Sequence, residues 1–222
     1  MSNAIHAVLF DLDGTLVDNM HAHVDAWIET GRLLGRELTA EQIQRDFAGR
    51  KNEELIAQLA GTSLPAAEVE RLAEQKEARY RELYGPHMRL VDGVDAFLAQ
   101  LAARGIAIGI ATAAPGKNRD LVLNGLGLTA RVGAIVGAEE VRRGKPAPDL
   151  FLEGARRLGS DPRATLVFED AVLGVQAGIA AGMSVCGVTT AEPSDVLLGA
   201  GAQHTVRDFT ELPAELRTRL GL

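Results

Sequence analysis

The segment AVLFDLDGTLVD, residues 7–18, decides the fold. Val8, Leu9 and Phe10 form a short apolar run that stops on two carboxylates, Asp11 and Asp13, and on a turn at Asp13 and Gly14. A run of this kind, closed by turn residues, reads as a buried strand. In an open α/β sheet ligands bind beyond the carboxyl ends of the strands, so both carboxylates fall where such sheets carry chemistry. Asp also satisfies local backbone donors in Asx-turns. On this segment alone the two readings are even, and the choice rests on what lies downstream.

Bulk properties exclude several classes. A chain of 222 residues with 46% apolar content suffices for one domain, or for a core with a modest insertion. Its apolar runs fall far short of a membrane span, and its N-terminus lacks the basic-then-apolar layout of a secretory signal. The expectation is a cytoplasmic protein with no membrane partner. A net charge of -7 without clustered Lys and Arg argues against a nucleic-acid partner. The single cysteine, Cys186, sits in an apolar run and reads as a buried thiol. Residues 2–4 read as the remnant of a tag.

From residue 19 to about 84 the chain is amphipathic and offers no convincing strand. Val24, Trp27, Ile28 and Leu34 recur near helical spacing, as do Leu55, Ile56 and Leu59, and a third stretch runs from Pro65 through Val69, Leu72 and Tyr80. An all-helical insertion over residues 18–89 is expected, leaving residues 1–17 and 90–222 as the core. In that core, helix and strand alternate. Val94, Phe97, Leu98 and Leu101 follow an expected Asp92 cap, and Gly105 ends that helix. Strands are predicted at 106–111, 132–136, 164–168, 185–188 and 204–206. Helices are predicted at 118–124, 148–159 and 171–181, the last rich in Gly and Ala on the side away from Val172, Val175 and Ile179, which lets it lie close to a neighbouring element. This alternation implies parallel pairing with right-handed crossovers, hence a doubly wound, Rossmann-like α/β sheet.

The polar residues of interest all fall at strand exits. Asp11 and Asp13 end the first strand, Thr112 the second, Lys145 lies in the loop after the third, and Glu169 and Asp170 end the fourth. Singly, each has a local reading: a hydroxyl on a turn, a solvated lysine, a helix cap. Jointly they do not, because parallel strands bring their exits to one edge. Several carboxylates gathered there cost several kcal/mol per unpaired ion, and one lysine cannot neutralise them. A cation is implied. Oxygen ligands select a hard one, and Mg2+, at roughly 2.1 Å from its ligands, suits carboxylates plus a substrate phosphate.

These segments, DLDGT at 11–15, Thr112, Lys145 in GKPAPD, and Glu169–Asp170, resemble the four motifs of the haloacid dehalogenase superfamily of phosphotransferases, in order and over nearly the whole chain. The helical block resembles the cap domain of its β-phosphoglucomutase and phosphoglycolate phosphatase subgroup. The resemblance implies that Asp11 attacks phosphorus to form an aspartyl-phosphate and that Asp13, its pKa raised by neighbouring carboxylates, is the general acid and base. It implies further that Thr112 and Lys145 hold the phosphoryl oxygens, with Ala113 beside them. The same resemblance assigns Mg2+ to Asp11, the Asp13 carbonyl, Asp170 and Glu169. In the family the cap closes over this edge and excludes water or selects substrate. The presence of Asp13 favours phosphate chemistry over halide displacement.

In the cap, His23 and Trp27 fall where the β-phosphoglucomutases carry a histidine and a tryptophan. The loop AGRKNEE at 48–54 offers Gly49, Arg50 and Asn52 as substrate contacts, with Asn52 at the position of the mutase arginine that grips a second phosphate. Arg50 and Lys51 lie close by, but a shifted guanidinium does not place a bidentate fork identically. The reading is therefore a phosphatase of a small phosphorylated metabolite, monomeric or weakly dimeric. A β-phosphoglucomutase-type transferase is the alternative, and a non-catalytic binding protein on the same fold the third possibility.

Overall fold

A computed structural model describes residues 4–47 and 50–222, the side chain of Gln44 excepted. Gly49 and most of the expected tag remnant thus lie outside the described residues. The chain divides into two compact units, residues 1–18 with 89–222, and residues 19–88.

The first unit is built on six parallel strands: β1 (Ala7–Phe10), β2 (Ala107–Thr112), β3 (Ala134–Gly137), β4 (Thr165–Glu169), β5 (Ser184–Val188) and β6 (His204–Val206). Their order is β3-β2-β1-β4-β5-β6, every pairing parallel. The sheet grows outward from β1 in one direction and then from its other side, so the strand order reverses between β1 and β4. In doubly wound sheets that reversal opens the ligand crevice.

Burial on both faces explains the apolar strands. On one face Phe10 and Phe168 stack at 5.3 Å, and Phe97 and Phe209 close around them. On the other, Leu9 and Val167 pack with Phe151, Ala155, Val175, Ala177 and Leu197. Gly154 has no room for a side chain, since a Cβ there would lie 2.8 Å from Leu9 Cδ2. Residues 9, 11 and 167, 169 alternate onto this second face, so Asp11 and Glu169 leave the sheet on the same side.

The helical unit contains α1 (Met20–Leu33), α2 (Ala40–Phe47), α3 (Asn52–Ala60) and α4 (Ala66–Tyr84). Val24, Trp27, Ile43, Phe47, Leu55, Ile56, Leu72 and Ala73 make its core, with Trp27 edge-on to Phe47 at 5.1 Å.

The sheet unit's helices are α5 (Val94–Ala103), α6 (Gly116–Gly125), α7 (Asp149–Leu158), α8 (Val172–Ala180), α9 (Ser194–Gly199) and α10 (Ala214–Leu220). One expectation is corrected here. Asp92 does not cap α5. Gly93 occupies the N-cap at φ +81°, pressed so closely on the Phe209 backbone that a Cβ would come within 2.4 Å of it. Helix α8 lays its small residues against the sheet, as its Gly- and Ala-rich side predicts. Gly174, Ala177 and Gly178 are buried with Val175, while Ile179 is 37% exposed, because close approach to β5 leaves room only for hydrogen at Gly178. Cys186 is buried, and burial pushes its thiol up to about 12.

Phe10 is fully buried at the centre of its aromatic cluster. Phe10→Ala is expected to cost the sheet unit about 3–5 kcal/mol, read as a lower denaturation midpoint in urea followed by circular dichroism.

Candidate active site

The site assembles at the carboxyl ends of β1 and β4. The ladder continues one residue past β1, the Asp11 N–H donating to the Phe168 carbonyl at 3.0 Å, which sets Asp11 level with Glu169. Lys145 enters from the residues before α7, its Nζ 5.2 Å from the centre of the Phe151 ring. The ammonium donates to Asp11 Oδ1 at 2.5 Å and also to Glu169 Oε1. The second oxygen of Glu169 accepts from the Ala171 N–H at 2.8 Å. Asp170 Oδ1 accepts from the Thr15 hydroxyl at 3.1 Å.

Asp11, Glu169 and Asp170 are each buried and bring one oxygen apiece within 4.8 Å of one another. With Lys145 as the ammonium among them, two negative charges are left over. The electrostatics carry that excess. Burial, opposed by Lys145 and reinforced by Glu169 and Asp13, lifts Asp11 to about 7. Asp170 is raised well above the carboxylate range by burial and by Glu169 and Asp11. Lys145, despite burial, is raised by its two carboxylate partners and stays charged. A cluster of buried oxygens short of positive charge has the donor set of a hard divalent cation.

Thr112 is buried at the end of β2, and its hydroxyl accepts from the Ala114 N–H at 3.0 Å; Ala113 beside it is exposed. Asp13 is half-buried and bridges to Val17.

Within the helical unit, His23 stacks on Tyr80 at 3.9 Å, and its Nδ1 accepts from Lys76 Nζ at 3.0 Å. Burial, then Lys76, pushes the imidazole down to about 3, so it is neutral. Lys76 also donates to Glu77 at 2.9 Å and lies 5.1 Å from the Trp27 ring centre. Asn52 donates its amide to Glu77 Oε1 at 2.5 Å. Burial would raise Glu77, but Lys76, His23 and Asn52 together hold it at about 2. Arg50 is exposed and donates to the Asp46 carbonyl at 3.3 Å.

Sequence reading passed over four residues of these clusters. Lys76 and Glu77 fall on the buried face of α4 with Leu72, Ala73, Tyr80 and Tyr84. Charges at core positions of an amphipathic helix are the signal that would have found them. Thr15 stands inside the DLDGT motif. Gly174 left no signal: a Cβ on it would lie 1.8 Å from Glu169 Oε1, so its missing side chain is what admits that carboxylate.

A Rossmann-order sheet bearing a carboxylate cluster and a lysine at its switch point defines an α/β enzyme class with a site that could hold a metal ion. The family described as haloacid dehalogenase-like hydrolase matches residues 5–182. The chain belongs to it. Validoxylamine A 7'-phosphate phosphatase of Streptomyces hygroscopicus subsp. limoneus is 31% identical over 204 residues, covering 92% of this chain and 94% of that protein. The β-phosphoglucomutase of Bacillus subtilis is 30% identical over 217 residues, 95% of this chain and 92% of its own length. A crystal structure of a HAD hydrolase, family IA, variant 3 from Entamoeba histolytica matches with a TM-score of 0.89 at 26% identity, covering 97% of this chain and 99% of that one.

Two measurements test the site. Raised carboxyl pKa values favour the protonated, folded form, so the stability contributed by Asp11 is full below about pH 4 and lost as pH climbs through about 7, and that of Asp170 is lost in the same direction. A divalent cation reverses this penalty. Mg2+ is therefore expected to raise the Tm relative to chelator by several degrees at pH 8, and by much less at pH 5, in calorimetric scans. Gly174→Ala is expected to cost about 1–3 kcal/mol and to erase most of that Mg2+ response, since the Glu169 carboxylate must move off Lys145 and the Ala171 N–H.

Proposed function

We propose that this chain is a Mg2+-dependent phosphatase that hydrolyses a small phosphomonoester, of sugar phosphate or phosphoglycolate type, through an aspartyl-phosphate on Asp11, and that it works in the cytoplasm. One observation carries the reading: a buried Asp11 carboxyl held by Lys145 beside Glu169 and Asp170 at the sheet's switch point. The phosphatase relative adds support.

In the proposed reaction an Asp11 oxygen attacks phosphorus, and Lys145 fixes the orientation of that carboxylate. Asp13 gives its proton to the leaving oxygen, then takes one from the water that hydrolyses the acyl phosphate. The Thr112 hydroxyl and Lys145 hold the phosphoryl oxygens. Asp11, the Asp13 carbonyl, Asp170 and Glu169 would hold Mg2+, which would neutralise charge gathering on the phosphoryl group in flight. The two oxygens of Glu169 are taken by Lys145 and the Ala171 N–H. This favours contact with the cation through water.

β-Phosphoglucomutase activity is the second reading, favoured by the Bacillus subtilis relative. Against it stands Asn52, whose amide is committed to Glu77.

Asp11→Asn is expected to lower hydrolysis of p-nitrophenyl phosphate by on the order of 10^4 or more, and chelator to abolish the wild-type rate. Activity surviving the substitution would refute the nucleophile. Given β-glucose 1-phosphate with its 1,6-bisphosphate, the chain is expected to release free phosphate faster than it forms glucose 6-phosphate. The opposite order would establish the mutase.

A further inference from the structure

The turn that carries Asp13 is fastened by two threonine hydroxyls, one of its own that reaches the exit of β4 and one that reaches it from the exit of β5. Beyond Asp11 the chain doubles back: Gly14 sits at φ +72°, its N–H donates to the Val17 carbonyl at 2.9 Å, and Asp13 bridges to Val17. Thr15 ties this turn to the end of β4 through Asp170, at 3.1 Å. From the turn after β5, Thr190 donates its hydroxyl to the Gly14 carbonyl. Its own loop is pinned to β6, where the Thr189 N–H donates to the Val206 carbonyl at 2.9 Å. The tether therefore runs from the far edge of the sheet, across the exit of β4, to the residue after Asp13.

Gly14 is the link that most needs such a tether. A glycine at positive φ has the widest choice of backbone states in the segment, and a change there swings the adjoining Asp13 peptide. Proton transfer tolerates little of this, since donor and acceptor must stay within about 3.2 Å. Thr15 holds the turn at one side only, through a side chain two residues past Asp13. Thr190 grips the backbone immediately next to it.

We infer that Thr190 is a positioning residue for proton transfer by Asp13, its hydroxyl fixing the Gly14 carbonyl and so the placement of the Asp13 carboxyl against the leaving oxygen. This rests on the reading of Asp11 as nucleophile and Asp13 as acid. In that step an Asp11 oxygen bonds to phosphorus, and the ester P–O bond breaks with its electron pair passing to the leaving oxygen. That oxygen takes the Asp13 proton. An alkoxide or phenoxide leaving group needs the proton, whereas 2,4-dinitrophenolate departs without it. Misplacement of Asp13 consequently penalises poor leaving groups selectively, and a general loosening of the fold does not.

The test compares wild type, T190V and T190S on a series of substituted phenyl phosphates and on a hexose 6-phosphate with Mg2+, scored as kcat/KM. T190V is expected to lose on the order of tenfold or more on phenyl phosphate and the hexose phosphate, and less than about threefold on 2,4-dinitrophenyl phosphate. T190S, which keeps the hydroxyl, is expected to follow wild type across the series. Should T190V not fold, T190A carries the same expectation. Equal losses on all substrates, no loss on any, or T190S behaving as T190V would overturn the assignment while leaving the phosphatase reading intact. A wild type without activity sensitive to Asp11→Asn would overturn both.

Discussion

The Lys145 ammonium, lodged between Asp11 and Glu169, is the contact on which the site depends. Three carboxylates meet where two strand ends lie side by side, and the low dielectric that makes this costly also makes one well-placed cation effective. Buried ion pairs add little to stability against an apolar alternative. What the lysine provides is placement: it fixes one oxygen of Asp11 and one of Glu169, while the Ala171 N–H and the gap at Gly174 hold the rest of Glu169. The geometry follows from covalent order, since the strand register sets Asp11 beside Glu169 before any side chain acts.

The helical unit handles buried charge differently. Lys76 and Glu77 balance one another, His23 is neutral, Asn52 donates to Glu77, and Tyr80 stacks on His23. That cluster is self-sufficient in charge, whereas the sheet cluster is short by two. Among the described residues the second has the donor set that could hold a metal ion. The contrast explains why Asp11 and Asp170 are pushed up and Glu77 is pulled down, although all three are buried carboxyls.

Much of this was legible in the chain because parallel sheets announce themselves. Runs such as AVLF and TLVFE read as strands buried on both faces, and their alternation with helices pointed to the doubly wound order. Polar residues at successive strand exits had to converge on one edge. What escaped reading depends on contacts between distant residues. The short helices α2, α9 and α10 carry too few turns for periodicity to register. Gly174 and Thr190 owe their importance to what approaches them, an acidic side chain in one case and a backbone carbonyl in the other. The close approach of α8 was legible for the opposite reason, since a side rich in Gly and Ala marks tight packing, here against β5.

The points at which the sheet unit releases and regains the chain are direct neighbours: Val17 pairs antiparallel with Leu90, the Asp18 N–H donates to the Arg89 carbonyl at 3.2 Å, and the two side chains form an ion pair. To the sheet, residues 19–88 are therefore equivalent to the tip of a hairpin. Loop-closure entropy grows only as the logarithm of loop length, so a module of almost any size can be spliced between these two positions at nearly constant thermodynamic penalty. The spliced module can on that account be exchanged while the sheet edge, secured by its own register, is inherited unchanged.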